Sequence, residues 1–393
     1  MNTLLDPQVA HVCVRGSPVL GLRSTTVEEF FAPVPGYKQR GAVDPPDLRP
    51  TAVLIGRGHS HASLARGRRR NSVWHLARGW HASRPLDDEE TLLAVQRVLP
   101  RDAVFAGETA ALVHGVDLRP PWQQGEPFRI CSIRPAGHRA TRRPGVHSRV
   151  MELFEGDVVR ALSGIRVTSP LRTACDLAMS STIDRATTWI EGFLRAGLIT
   201  SEQLRTAVDD RRGRRGVRIL RRAAQLADPR SESPQETAVR LRLLEAGLPA
   251  PDLQIEVRTG QEEPIASTTL RIDLGWPTER KPGEDGGTPG PEGGVAIEYN
   301  GAAFHPREGP AAARDATRLK VLRAHGWDVS VLVSEDLSGD ERSFEIEVGR
   351  RLGRGVRAGP RAAWRPTRTN MFRNAWTRAK EPWWTRWRPP EGR

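Results

Sequence analysis

Lysine is scarce in this chain. Only Lys38, Lys281, Lys320 and Lys380 occur among 60 basic residues, so the formal net charge of +13 is carried by arginine. A strong positive balance favours polyanionic partners, nucleic acid first. An arginine skew also fits genome base composition, so charge alone leaves that choice open. Cysteine is scarcer still. Cys13, Cys131 and Cys175 are odd in number and far apart, which excludes a zinc-ligand pattern and a secreted disulfide framework. No apolar run approaches the roughly 20 residues that span a bilayer. The first residues lack a basic segment followed by an apolar one, so no signal peptide is expected and a cytoplasmic location is.

At 393 residues two or three domains are expected. Residues 1–58 are rich in proline and glycine without a sustained period and read as largely disordered. The basic stretch from His59 to Pro85 reads as a short strand pair on Val73, Trp74 and Leu76, with a nucleic-acid arm as the alternative. Asp87–Leu99 has acids in its first turn and an apolar side, which predicts a helix. A second helix is expected over Ala106–His114 and strands over Phe128–Ile133 and Arg166–Thr168. Thr168-Ser169-Pro170 then caps a helix running to Ala178, with Arg172 and Asp176 spaced to pair on its surface. Two more helices are expected near Ile183–Ala196 and Ser201–Asp209. In the basic run Arg211–Arg222, Arg211 and Arg212 are candidates for phosphate contact, the alternative being the solvated start of a helix.

Residues 231–333 are the richest in chemistry. Ser233-Pro234-Gln235-Glu236 opens a helix with a serine cap, a proline in the first turn and a glutamate three residues past the cap. Leu253–Arg258, Leu270–Trp276, Val295–Tyr299 and Asp328–Val333 read as strands, and Pro310–His325 as a helix stopped by Gly326. In the two-residue period Leu270, Ile272 and Leu274 share one face, with Arg271 and Asp273 on the other. Val295, Ile297 and Tyr299 oppose Glu298 and Asn300 in the same way. If the two strands pair, Asp273 and Glu298 lie together on a polar face. Two such carboxylates repel unless a proton or cation sits between them, and a hard divalent ion takes oxygen ligands of this kind.

The order helix, strand, strand, strand, helix, strand resembles the PD-(D/E)XK nuclease superfamily, most closely domains of the very-short-patch-repair-endonuclease type. Glu236 in SPQE, Asp273 in RIDLGWP, Glu298 to Gly301 in IEYNG, His305 in AFH, and Arg314, Asp315 and Arg318 in RDATR carry the likeness. It implies an α/β restriction-endonuclease-like domain over 231–352, a mixed sheet flanked by helices, that cuts phosphodiester bonds with Mg²⁺ or Mn²⁺. Asp273, Glu298 and Glu236 would hold the metal, with His305 as general acid or base and Arg314 and Arg318 facing the DNA backbone. The family's second acidic motif usually ends in an acid or a lysine, and Asn300 stands there instead. It can orient a water but is no base, which keeps alive a DNA-binding regulator that no longer cuts. Residues 278–294, rich in glycine and proline, are expected to form a disordered insertion.

FAGETAALVHG and RVTSPLRTACDLA resemble AbiEi-type antitoxin-like proteins. That likeness implies an α+β, mainly helical domain over 59–228 and a role in DNA binding, in a defence, repair or toxin–antitoxin setting. RNA stays open as a substrate. The tail 353–393 sets arginine beside Trp364, Trp376, Trp383, Trp384 and Trp387. An unstructured end is expected there, with base stacking or a membrane surface as alternatives.

Overall fold

A computed structural model describes residues 11–12, 20–24, 49–50 and, with short breaks, most of 54–119, 129–259, 269–279, 291–300 and 310–357. Two compact units emerge. One holds the described residues up to 181 together with 196–221, and the other holds 182–195 with 222–357.

The first unit is built on a seven-stranded mixed sheet in the order β1-β2-β9-β10-β6-β7-β8. These strands are β1 (His11–Val12), β2 (Leu20–Ser24), β6 (Val104–Phe105), β7 (Ile130–Pro135), β8 (Val146–Met151), β9 (Val158–Ala161) and β10 (Arg166–Thr168). So short strands punctuate the segment 1–58, which the sequence reads as largely disordered; the remainder of that segment lies outside the described residues. A small sheet orders β3 (Arg49–Pro50), β5 (Trp80–Ala82) and β4 (Trp74–Ala77), the strand pair expected around Trp74. Helix α1 (His61–Arg69) lies between β3 and β4 in the chain.

Helix α2 (Asp88–Val98) starts with three acids and ends with Arg97, matching its own dipole. Its Leu92, Leu93 and Val95 pack with Phe105, Val159 and Val167 of the sheet. Helices α3 (Gly107–Val113) and α4 (Pro170–Met179) come next. Ser169 precedes α4 without a side-chain cap bond; Pro170 sets the first turn instead. Arg172 pairs with Asp176 at 2.8 Å and with Asp157 at 2.5 Å, but it is buried rather than at the surface.

Helix α5 (Ile183–Arg195), although it precedes α6 (Ser201–Asp210) and α7 (Val217–Leu226), belongs to the second unit. There it lies on α8 (Pro234–Glu245). Glu191, 1% exposed, accepts hydrogen bonds from Arg240, from the Thr237 hydroxyl and from the backbone N–H of Asp228. A buried acid with this many donors keeps its place although burial pushes its pKa up.

The second unit orders β11 (Asp252–Arg258), β12 (Thr269–Glu279), β13 (Pro291–Tyr299) and β14 (Trp327–Leu332) in sequence. The first two pairings are antiparallel and the last is parallel. Val239 and Leu243 of α8 and Phe344 and Val348 of the helix Ser343–Arg351 cover one face, against Leu274, Ile297 and Leu332. Val321 and Leu322 of α9 (Pro310–Ala324) cover the other, against Leu270, Ile272, Ala296 and Val329. Arg242 crosses the first layer fully buried, its guanidinium 2.7 Å from Glu345 and bonded to the carbonyls of Asp336 and Glu341. The element order is the expected one, and the whole is a mixed α/β architecture.

The strands reach into the insertion expected over 278–294. Residues 278–279 and 291–294 extend β12 and β13, while 280–290 lie outside the described residues. Gly293 and Gly294 have φ of +122° and +143°, and a Cβ at 294 would stand 2.1 Å from the Trp276 carbonyl oxygen. Glycine there serves the close approach of two strands rather than looseness.

Candidate functional site

The strands β12 and β13 pair with Leu274 opposite Ile297 and Gly275 opposite Ala296. Along β13 the expected alternation holds: Ile297 and Tyr299 pack on the α8 side and Ala296 on the α9 side. Along β12 it breaks. Leu270 and Ile272 pack on the α9 side, but Leu274 and Trp276 pack on the α8 side. Asp273 sits at this change of face. Opposite it in the register, between the Leu253–Leu274 and Ile255–Ile272 pairs, Gln254 adopts φ of +56°. A left-handed residue facing a strand's change of face is how a sheet re-aims a side chain.

Three carboxylates gather around that point. Glu236 comes from the first turn of α8, where Ser233 accepts a hydrogen bond from the Glu236 N–H at 3.1 Å. The Glu236 carboxylate accepts from the Glu232 N–H at 2.8 Å and from the Gln254 amide at 3.0 Å. Asp273 accepts from the Tyr299 N–H at 3.1 Å. Glu298 is gripped by Arg318 of α9, with N–O distances of 2.7 and 2.9 Å to its two oxygens. The same guanidinium also donates to the Arg271 carbonyl.

Burial pushes the pKa of all three acids up. For Glu236 the charge of Asp273 adds to it, and for Glu298 those of Asp273 and Glu236 do. Arg318 opposes the rise at Asp273 and Glu298. Burial works to lower the Arg318 guanidinium, and its partners, Glu298 foremost, outweigh that and raise it.

This donor set does not suit a divalent ion in the arrangement described. Both oxygens of Glu298 are engaged by a cation, and one oxygen each of Asp273 and Glu236 is engaged by backbone N–H. Among the described residues no group of three or more His, Cys, Asp or Glu side chains is placed to hold a metal.

The other expected site residues scatter. Asn300 continues the ladder with its backbone N–H on the Leu332 carbonyl at 2.8 Å. His305 lies outside the described residues. Arg314 is exposed on α9, whereas Arg318, one turn on, is half-buried with its guanidinium on Glu298. Arg211 caps α6 by donating to the Ala207 carbonyl at 3.0 Å, and Arg212 pairs with Asp209 at 3.0 Å. The inward turn of Arg318 had no local signal. The bend at Asp273 had one in Gly275, whose absent side chain lets Val295 and Ile255 approach; a Cβ there would meet them at 2.7 and 3.1 Å.

No helix among the described residues is long and apolar enough to cross a membrane. Residues 102–229 match the family described as the AbiEi antitoxin C-terminal domain, in agreement with the likeness of FAGETAALVHG and RVTSPLRTACDLA. Two uncharacterized proteins of Mycobacterium tuberculosis, from strains CDC 1551 and H37Rv, are each 29% identical to this chain over 289 residues. The alignment covers 73% of this chain and 94% of each relative, so the similarity runs through nearly the whole length of those proteins.

Proposed function

We propose that the chain is an antitoxin-like, DNA-binding regulatory protein whose second unit keeps the outline of a PD-(D/E)XK nuclease, of the very-short-patch-repair type, without cutting. One observation carries this reading: the bidentate grip of Arg318 on Glu298, at 2.7 and 2.9 Å, which engages both oxygens of an expected metal ligand. The match of residues 102–229 to an antitoxin domain supports the regulatory half of it. The arginine-borne charge of +13 supports a nucleic-acid partner.

A second reading is a Mg²⁺- or Mn²⁺-dependent endonuclease in which Asp273, Glu298 and Glu236 take the metal once Arg318 has moved aside. The burial of these acids favours it, joined at Glu236 and Glu298 by the charge of their acidic neighbours, because holding carboxylates whose pKa is raised in this way has an energetic cost. Plasmid nicking separates the two. Supercoiled DNA is incubated with the wild type, Asp273→Ala and Glu298→Ala, each with Mg²⁺ or Mn²⁺, beside a gel-shift measurement of binding. The regulator reading expects binding by all three proteins and nicking by none. Nicking by the wild type that vanishes in both variants overturns it.

A further inference from the structure

The strands β7 and β8 run parallel although only residues 136–145 connect them. The connection must therefore return the full length of β7, and it does so as a loop dense in charge. From Arg129 to Met151 the sequence has six arginines and two histidines and neither aspartate nor glutamate. The loop forms one wall of an open cleft of about 570 Å³, with Arg134, Arg139, Arg142 and Arg143 among its lining and Leu99 and Pro100 at the end of α2 opposite.

The acid that meets Arg134 of this lining is committed to it. Asp102 binds Arg134 through two hydrogen bonds of 2.8 and 2.9 Å and lies 3.1 Å from His138. Arg134 in turn donates to the Arg139 carbonyl at 2.7 Å, which fixes the turn at Gly137. Arg134 is thus a strut. Arg139, Arg142 and Arg143 have no carboxylate partner among the described residues, and Arg139 and Arg142 are exposed. Three unmatched guanidinium groups on a braced loop leave a positive field that folding itself does not neutralise.

We propose that this cleft binds the phosphate backbone of duplex DNA, with Arg139, Arg142 and Arg143 as the contacting residues. Guanidinium forks suit phosphate oxygens. Among the described residues the lining offers no aromatic ring on which an unpaired base would stack, which sets duplex backbone contact ahead of single-stranded binding. The proposal rests on the DNA-binding half of the proposed function and names the surface responsible.

The test uses the full chain and a fluorescein-labelled random duplex of about 20 base pairs, with anisotropy titrations between about 50 and 200 mM salt. Substituting Arg139→Ala, Arg142→Ala and Arg143→Ala together is expected to lower the slope of log K against log salt by about 2–3, since each phosphate contact contributes roughly 0.9. The corresponding triple lysine variant is expected to keep most of the slope. Unchanged melting of both variants shows that the fold survives. A triple alanine variant with the wild-type slope overturns the cleft and leaves the regulator reading standing. One that binds duplex normally but loses single-stranded RNA overturns duplex DNA as the ligand. Nicking through Asp273, together with a lowered slope, sinks the non-cutting reading and leaves the cleft in place.

Discussion

Replacing Arg318 by alanine strips Glu298 of its partner and leaves three acids crowded around β12. Removing one member of a buried pair costs about 3–5 kcal/mol. The Arg318 side chain is 31% exposed while that of Glu298 is 11% exposed, so water shares the interaction and about 2 kcal/mol is the better figure. In a unit of this size that lowers the melting temperature by roughly 4–8 °C. The pH dependence has a fixed sign. Burial already places the Glu298 pKa above its ordinary value, so the stability tied to it is complete at low pH and lost as pH rises through the folded value. The deficit of the variant is therefore largest near neutrality and shrinks on acidification. Scanning calorimetry at several pH values reads both effects. Adding about 10 mM Mn²⁺ extends the test. With the guanidinium gone, millimolar binding at the exposed acids restores about 1.4 kcal/mol in the variant, whereas the wild type gains nothing comparable. Equal melting of variant and wild type, or equal stabilisation of both by Mn²⁺, refutes the idea that Arg318 is the resident cation.

His114 is fully buried, its Nε2–H donating to the Thr168 carbonyl at 2.7 Å, and burial lowers its pKa to about 4. Its contribution is whole above the ordinary value of about 6.5 and is lost as pH falls through 4, a loss of about 3 kcal/mol. Unfolding free energies of wild type and His114→Asn from urea titrations should converge over that window by this amount, and a constant difference contradicts it. Gly294→Ala forces a Cβ to within 2.1 Å of the Trp276 oxygen at φ +143°, which should cost about 3 kcal/mol or more. Gly247→Ala, at φ +80° with open space around it, should cost about 1 kcal/mol. Equal midpoints for the two glycine variants in chemical denaturation would contradict the strand-approach argument.

Local chemistry was the legible part of this chain. Ser233 and Pro234 mark the start of α8, the acids of α2 mark its first turn, and the alternation through Ile297 and Tyr299 assigns β13 its two faces, each where expected. What depended on distant partners was hidden. Period-two patterning puts Leu270, Ile272 and Leu274 together, yet the sheet divides them at Asp273, because the strand's path answers to Gln254 across the ladder. Helical spacing pairs Arg314 with Arg318, yet a buried acid 20 residues upstream turns Arg318 inward. Glu191 and Glu345, on which the sequence offered no reading, are each 1% exposed, and Arg240 and Arg242 meet them. Such pairs have no signature at short sequence range.

The seat of α5 on α8 bears on how this protein can be dissected. The segment that matches the antitoxin domain ends at residue 229, which invites a cut just before Ser231. Such a cut would take Glu191 away from Arg240 and Thr237, stranding a guanidinium against an apolar layer and uncapping one side of the remaining fragment. Excising the matched segment would, for its part, carry off a helix torn from its bed. Fragments meant to isolate the second unit should therefore keep residues 182–195 joined to residues 222–357.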